Sequence, residues 1–334
     1  MTARKHVHTG GWIGVLAIIC VAGCGRTAYR IEPIPADRSL EEETLIDEGG
    51  LSPAKIALID VSGMIMNAER FSLLGTGENP VSLFVEKLDK AARDPSVQGV
   101  VLRINSPGGA VTAADIMYEE LQCFKRRTGG KRPVVAVMMD VAASGGYYIA
   151  CGADEIFAHP TTVTGSIGVL MLSANFSGTM SKIGVEANVI KSGEMKDAGS
   201  PFRRMRDEER AIFQRLIDEY HERFVKVVLT GRPKLDEARV RELADGRVYS
   251  GRQALDLGLV DQVGTLREAL GCLKGRIGAR RVRVVAYKRP SDYKPNIYAQ
   301  GPAGPPQVNL LNIQIPQSLL GTEPQFLYLW APGI

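Results

Sequence analysis

Ser144 stands where a strand-like run over 132–140 stops at small residues. Asp140-Val-Ala-Ala-Ser144-Gly145-Gly146 is followed by the apolar, helix-compatible stretch Tyr147 to Cys151. Strand, tight turn and helix start, with a serine at the turn, can present a nucleophile. Small neighbours let a substrate backbone come close, and free N–H groups at a helix start favour developing negative charge. The same residues also make a plain close-packed turn with Ser144 as a helix cap. A second turn of this kind, Asn105-Ser-Pro-Gly108-Gly109, again lies between a strand and a helix. Its backbone N–H groups can line an oxyanion hole, or it can be a simple connection.

A nucleophilic serine needs a base, most often histidine. Beyond the first 23 residues only His159 and His221 remain. No carboxylate is obviously placed to orient His159, and His221, among charges on a long helix, is expected to be exposed. Ala142 replaces the first glycine of a Gly-x-Ser-x-Gly elbow. A lysine can serve if it sheds its proton. Bringing its pKa from about 10.4 to near 7 costs about 4 kcal/mol, supplied by desolvation and positive neighbours. Such a lysine must sit in an enclosed site. Ser52-Pro-Ala-Lys55 has Ser-x-x-Lys spacing but lacks the companion Ser-Asp-Asn and Lys-Thr-Gly motifs, and is set aside. Lys191 and Lys196 share a Gly- and Ser-containing loop, where most lysines are solvated surface charges.

The elements that must position these residues follow from periodicity. Strands are expected over 55–61, 99–104, 186–190 and 281–288, and helices over 80–94, 110–127, 178–183, 207–229 and 265–273. Phe213, Leu216, Ile217, Tyr220, Phe224 and Val228 form one stripe of the long helix, and the charges over 203–210 read as its solvated start. Strands alternating with helices, with glycine turns between them, indicate an α/β body with parallel strands and a site at the strand ends.

Both ends differ from this body. Basic residues precede an apolar run over 11–23, the length of a secretory signal rather than a membrane span. The run ends Val21-Ala22-Gly23-Cys24, which resembles a bacterial lipobox and implies lipidation of Cys24. The expected organisation is a signal over 1–23, a lipidated cysteine and polar tether over 24–54, a catalytic domain over 55–288 and an arm over 289–334. That arm holds eight of the 18 prolines. Without residues 1–23 the balance is 39 basic against 37 acidic side chains, so charge gives no argument for nucleic acid. Cys123, Cys151 and Cys272 form no disulfide framework and no metal-ligand spacing; they are expected to be buried free thiols.

Several ordered motifs carry a resemblance. Asn-Ser-Pro-Gly-Gly at 105–109, Ala-Ala-Ser-Gly-Gly-Tyr-Tyr-Ile at 142–149, Thr-Gly-Ser-Ile-Gly-Val at 164–169, Lys-Asp-Ala-Gly-Ser-Pro-Phe at 196–202 and Gly-Arg-Gln-Ala-Leu-Asp-Leu-Gly-Leu-Val-Asp at 251–261 are similar to the signal peptide peptidase A family of membrane-bound serine proteases, in its short form. The resemblance spans roughly residues 55–275 and implies a Clp protease/crotonase-like α/β fold, with parallel sheets surrounded by helices. It implies Ser144 as nucleophile, Lys196 as general base, Ser166 as the group that holds the lysine amine, and oxyanion donors at Gly108 and Gly109. No metal or cofactor is implied. The expected partners are peptides, chiefly released signal peptides, and further copies of the chain in a dome or ring whose neighbours help build each site. Localisation is expected in the bacterial cell envelope, anchored through Cys24. Two other readings stand beside it. One is a crotonase-like acyl-CoA enzyme, disfavoured by an export signal; the other is a catalytically silent lipoprotein scaffold.

Overall fold

A strand buried on both faces reads as an unbroken apolar run, and three such runs make the centre of this molecule. The computed structural model describes residues 39–68, 71–72, 75–76, 78–289 and 325–332. In chain order the elements are β1 (Glu41–Asp47), β2 (Ala54–Ser62), the short β3 (Phe71–Ser72) and β4 (Gly75–Thr76), α1 (Pro80–Arg93), β5 (Val97–Ser106), β6 (Gly108–Ala110), α2 (Val111–Arg127), β7 (Val134–Ala143), α3 (Gly145–Ala150), β8 (Glu155–Ala158), β9 (Val163–Gly165), β10 (Leu170–Leu172) and α4 (Ser177–Lys182). There follow α5 (Asp207–Gly231), α6 (Glu237–Leu243), β11 (Val248–Ser250), α7 (Gly251–Asp256), β12 (Gln262–Val263), α8 (Leu266–Arg276), β13 (Val282–Lys288) and β14 (Gln325–Leu329).

The main sheet runs β1-β13-β2-β5-β7-β8-β12, with β9 and β11 branching from β7. Its central pairs are parallel. Alternate residues serve opposite faces. Ala57, Ile59, Val100, Leu102, Ala136 and Met138 enter the larger core. Ile56, Leu58, Val101, Val135 and Val137 pack against Leu266, Leu270 and Leu273 of α8. Helix starts are set locally. Asn79 Oδ1 accepts from the N–H groups of Val81 and Ser82 at the start of α1, with Pro80 in the first turn, and Thr265 with Glu268 forms a capping box on α8. A smaller antiparallel sheet, β10-β14-β6, lies apart from the main one in hydrogen bonding.

Four expectations change. Residues 41–47, placed above in the tether, form the edge strand β1, antiparallel to β13. Residues 186–190 are not a strand; the segment pairs with nothing among the described residues and is exposed along its length. Residues 325–329, placed in the arm, form the middle strand of the small sheet. Of the three cysteines, all free, only Cys151 is buried, its thiol pushed up to about 12 by desolvation, while Cys123 and Cys272 are half-buried. The signal at 1–23, Cys24, the tether up to residue 38 and most of the arm lie outside the described residues. Among the described residues no helix is long and apolar enough to cross a membrane.

One charged pair interrupts the apolar sheet. Arg103 on β5 is buried, and its Nε lies 2.6 Å from Oδ1 of Asp60 on β2. Removing one partner of such a pair takes a charge-assisted hydrogen bond from a largely buried group. Arg103→Ala is therefore expected to cost about 3 kcal/mol in urea unfolding, while Arg103→Met combined with Asp60→Leu recovers most of it. Equal losses in the single and double variants would show that the pair is not coupled.

Candidate active site

The carboxyl ends of β5 and β7 bring the two glycine turns together. β5 leads through Ser106 and Pro107 into β6, and β7 ends at Ala143, one residue before Ser144. Ser106 fixes the first turn. Its Oγ donates to the Gly63 carbonyl at 2.6 Å and accepts from the Gly108 N–H at 3.1 Å. Gly108 has φ +101°, and a Cβ there would lie 2.0 Å from the Tyr328 carbonyl oxygen and 2.7 Å from the Gly145 nitrogen. Only glycine fits, because the backbones of three segments meet at this atom.

Ser144 is 1 % exposed. Outside glycine, Ser144 and Ser166 are the two described residues with positive φ, +52° and +49°. Such a conformation costs on the order of 1–3 kcal/mol and persists only where the surroundings impose it. Here the Ser144 N–H donates to the Gly165 carbonyl, its own carbonyl accepts from the Tyr148 N–H, and the Ser166 N–H donates to the Arg247 carbonyl, each at 2.8 Å. Thr164 Oγ1 adds a bond to the Ala142 carbonyl at 2.7 Å, tying β9 to the end of β7. The Ser144 Oγ itself is buried and has no hydrogen-bond partner among the described residues.

Of the residues expected to act, the structure thus gathers Ser144, Ser166 and the turn of Gly108 and Gly109. Among the described residues of one chain it brings no base to Ser144 Oγ. Lys196 is exposed, and its side chain has no hydrogen bond or ion pair among the described residues. Lys191 is committed elsewhere, its Nζ 2.8 Å from Asp197 Oδ1. Lys55 is held by Glu42 and Asp94 at 2.8 and 2.9 Å. His159 bonds Thr161. His221, expected exposed, is half-buried with Nε2 2.8 Å from the Ala244 carbonyl.

Sequence reasoning missed two contributors to this geometry. Ser106 and Thr164, hydroxyls inside the quoted motifs, orient the turns. Gly145 is the residue at which the free N–H groups expected at the helix start begin. Its N–H opens α3, where it has no acceptor within the helix, and it abuts Gly108. Because α3 spans six residues, individual N–H groups rather than a helix dipole are the relevant donors.

The loop bearing Lys196 is anchored by charge. The charges over 203–210, expected to be a solvated helix start, form a cluster instead. Arg203 Nε donates to Asp197 at 2.8 Å and its Nη1 to Glu209 at 3.1 Å, while Arg206 Nε donates to Glu209 at 2.8 Å. The Glu209 side chain is fully buried. The Arg203 hydrogen bond, reinforced by Arg206, holds its carboxyl down to about 2 against desolvation. Arg203 and then Lys191 hold Asp197 well below the usual carboxylate range.

Parallel strands that end in two abutting glycine turns, one carrying a strained serine, define a hydrolase frame of the Clp protease type. Residues 126–279 match the model of peptidase family S49, and residues 58–193 match that of Clp protease. An Enterococcus faecium protein bearing the name signal peptide peptidase SppA is 39% identical over 252 residues, covering 75% of this chain and 71% of that protein. Proteases of Synechocystis sp. and Methanocaldococcus jannaschii are 40% and 38% identical, over 64% and 61% of this chain and 72% and 64% of theirs. The chain belongs to peptidase family S49. It is a serine endopeptidase, and its substrates are peptides, which sets aside the acyl-CoA and scaffold readings.

Two outcomes follow from this geometry. Gly108→Ala forces the turn away from Gly145 and is expected to lower kcat for peptide hydrolysis about a hundredfold or more, the scale of losing an oxyanion donor; an unchanged kcat would separate the turn from the chemistry. Because the folded Asp197 and Glu209 carboxyls titrate below their unfolded values, their anchoring is complete above about pH 4.5 and is lost as pH falls toward 2. Pepsin nicking within 191–205 should therefore rise across that window, before the main sheet is cut. Nicking that is independent of pH there would show that charge does not hold the loop.

Proposed function

We propose that Ser144 and Lys196 form a Ser–Lys dyad and that the enzyme degrades remnant signal peptides or similar apolar peptides at a membrane. The observation that carries this reading is the strained, buried Ser144, its Oγ unpartnered, beside the Gly108 and Gly145 backbone. In the reaction, neutral Lys196 takes the Ser144 proton as Oγ attacks the scissile carbonyl. The oxyanion is received by N–H groups at the Gly108–Gly109 turn and at Gly145, and the lysine ammonium then protonates the leaving amine. Water, deprotonated by the same lysine, attacks the acyl-enzyme ester, and the ammonium returns that proton to Ser144 Oγ as the C–Oγ bond breaks and the acid product leaves. Ser166, next to Gly165 in the same turn, holds the amine in place.

A solvated lysine cannot be this base, because its ammonium keeps its proton at neutral pH. Enclosure must come from outside the single chain. The segment around Lys196 carries exposed apolar side chains, among them Phe176, Ile183, Val189, Ile190, Met195 and Phe202, and a surface of this kind marks an interaction site. We assign it to a neighbouring copy in a homo-oligomer, so that Lys196 of one chain serves Ser144 of the next. Anchoring through lipidated Cys24 in the bacterial cell envelope suits apolar substrates released into a membrane.

The test is hydrolysis of a synthetic signal peptide by the wild type, Ser144→Ala and Lys196→Ala. Either substitution alone should remove activity. An equimolar mixture of the two variants, reassembled together, should regain about a quarter of wild-type activity, because a random cyclic assembly then pairs an intact serine with an intact lysine in one site of four. Activity that persists in Lys196→Ala rules out the dyad, and a silent mixture of well-assembled variants confines both groups to one chain.

A further inference from the structure

The strand just ahead of the Gly-Arg-Gln-Ala motif supplies no group to the dyad, yet it backs the turn that holds Ser144. β11 pairs with β9 antiparallel, with Val248, Tyr249 and Ser250 opposite Gly165, Thr164 and Val163. The turn before it continues the ladder. The Ser166 N–H donates to the Arg247 carbonyl at 2.8 Å, and the Gly246 N–H donates to the Ile167 carbonyl at 3.1 Å. Asp245 fixes this turn by accepting from the Arg247 N–H at 3.0 Å. At the other end of β11 the Gly251 N–H donates to the Thr162 carbonyl at 2.9 Å. Gly165 is thus bracketed on both sides.

Tyr249 is the side chain that reaches this glycine. A Cβ placed on Gly165 would lie 2.6 Å from Cδ2 and 3.1 Å from Cε2 of the Tyr249 ring, so the ring packs directly on the Gly165 backbone. Tyr249 is buried, and its hydroxyl donates to the Leu243 carbonyl at 3.2 Å, which fixes the ring from the end of α6. Gly165 has φ +82° and is followed by Ser166 at φ +49°. The carbonyl between these two left-handed residues is the one that accepts the Ser144 N–H at 2.8 Å. A glycine by itself holds no single conformation. Here the ring does what a missing side chain cannot, by closing the space into which residue 165 would relax.

We propose that Tyr249 is a positioning residue for the nucleophile, acting through Gly165. Its ring holds the Gly165 carbonyl, that carbonyl holds the Ser144 N–H, and the bond keeps Ser144 at φ +52°. The proposal rests on Ser144 being the nucleophile. Tyr249 transfers no proton and supplies no oxyanion donor; it decides where Oγ sits. Displacing a reacting atom by about 1 Å costs about a hundredfold in rate. A misplaced nucleophile is felt in the transition state and little in substrate binding, so the loss falls on kcat.

The test compares Tyr249→Ala with the wild type, Tyr249→Phe and Leu273→Ala, each in the full chain and equally assembled. Leu273 of α8 is buried on the other face of the sheet, so its truncation loosens packing far from the turn. Tyr249→Ala is expected to lower kcat for the synthetic signal peptide about a hundredfold with KM within about threefold. Labelling of Ser144 by a fluorophosphonate, which needs no peptide binding, should slow by a similar factor. Tyr249→Phe keeps the ring and should retain kcat; Leu273→Ala should lower Tm and retain kcat. Tyr249→Leu covers the case in which alanine prevents folding, because it fills volume without laying a flat ring on Gly165, and the same losses are expected. Unchanged kcat and labelling in a folded Tyr249→Ala or Tyr249→Leu overturns the proposal, as does an equal loss of kcat in Leu273→Ala. If neither Tyr249 variant folds, the ring serves the fold and not the nucleophile, and the proposal is likewise overturned. Should Ser144→Ala keep wild-type activity, the nucleophile reading fails separately, and a crystal structure of Tyr249→Ala decides the positioning: a Gly165 carbonyl moved away from the Ser144 N–H supports it, and an unmoved one overturns it.

Discussion

The backbone conformation of Ser144 is the constraint on which the site depends. A serine at φ +52° relaxes unless its neighbours forbid it, and each neighbour is held by a different part of the sheet. The Gly165 carbonyl that takes its N–H is fixed by pairing of β9 with β7; Gly108, against Gly145, is fixed through Ser106 at the end of β5. Parallel strands deliver both turns at one level because their carboxyl ends share a register, with Ser106 opposite Ala142. The strain is thus carried by the whole sheet, which can bear a local cost of a few kcal/mol because its central strands are buried on both faces.

The loop with Lys196 is held by other physics. It has no strand pairing, and its anchor is the charge cluster of Asp197, Arg203, Arg206 and Glu209. Hydrogen-bonded charges hold a loop's course but leave its outer surface free to be shaped by whatever covers it. On the dyad reading this division is useful: the nucleophile is rigid in each chain, and the base loses its hydration only when an apolar surface closes over it. Assembly would then be a condition of activity as well as of stability.

The central strands and their helices were legible in the sequence because double-sided burial, helical spacing and caps are local signals. The same holds for the two glycine turns, where a strand ends in residues too small to serve any other purpose. What was illegible depends on partners distant in sequence. Residues 41–47, rich in glutamate, look like tether because an edge strand needs only one partner, here β13, more than 200 residues away. Residues 186–190 have strand-forming side chains but find no strand to pair with among the described residues. Glu209 looks solvated in a run of charges, and its burial depends on Arg203 folding back over it. The half-burial of His221 likewise comes from the Ala244 carbonyl, supplied by the chain beyond α6.

β14 unites the fold and the proposed chemistry. A protease that binds peptides by strand addition must keep an unpaired edge available next to its nucleophile, yet an open apolar edge is also where chains aggregate. Here two such edges, β6 and β10, flank one slot, and Gly108 cannot gain a side chain to blunt it without disturbing the turn beside Ser144. β14 fills that slot, with the Tyr328 side chain packed on Tyr148 and Phe224. A tethered strand ending in aromatic and branched residues satisfies both edges at once.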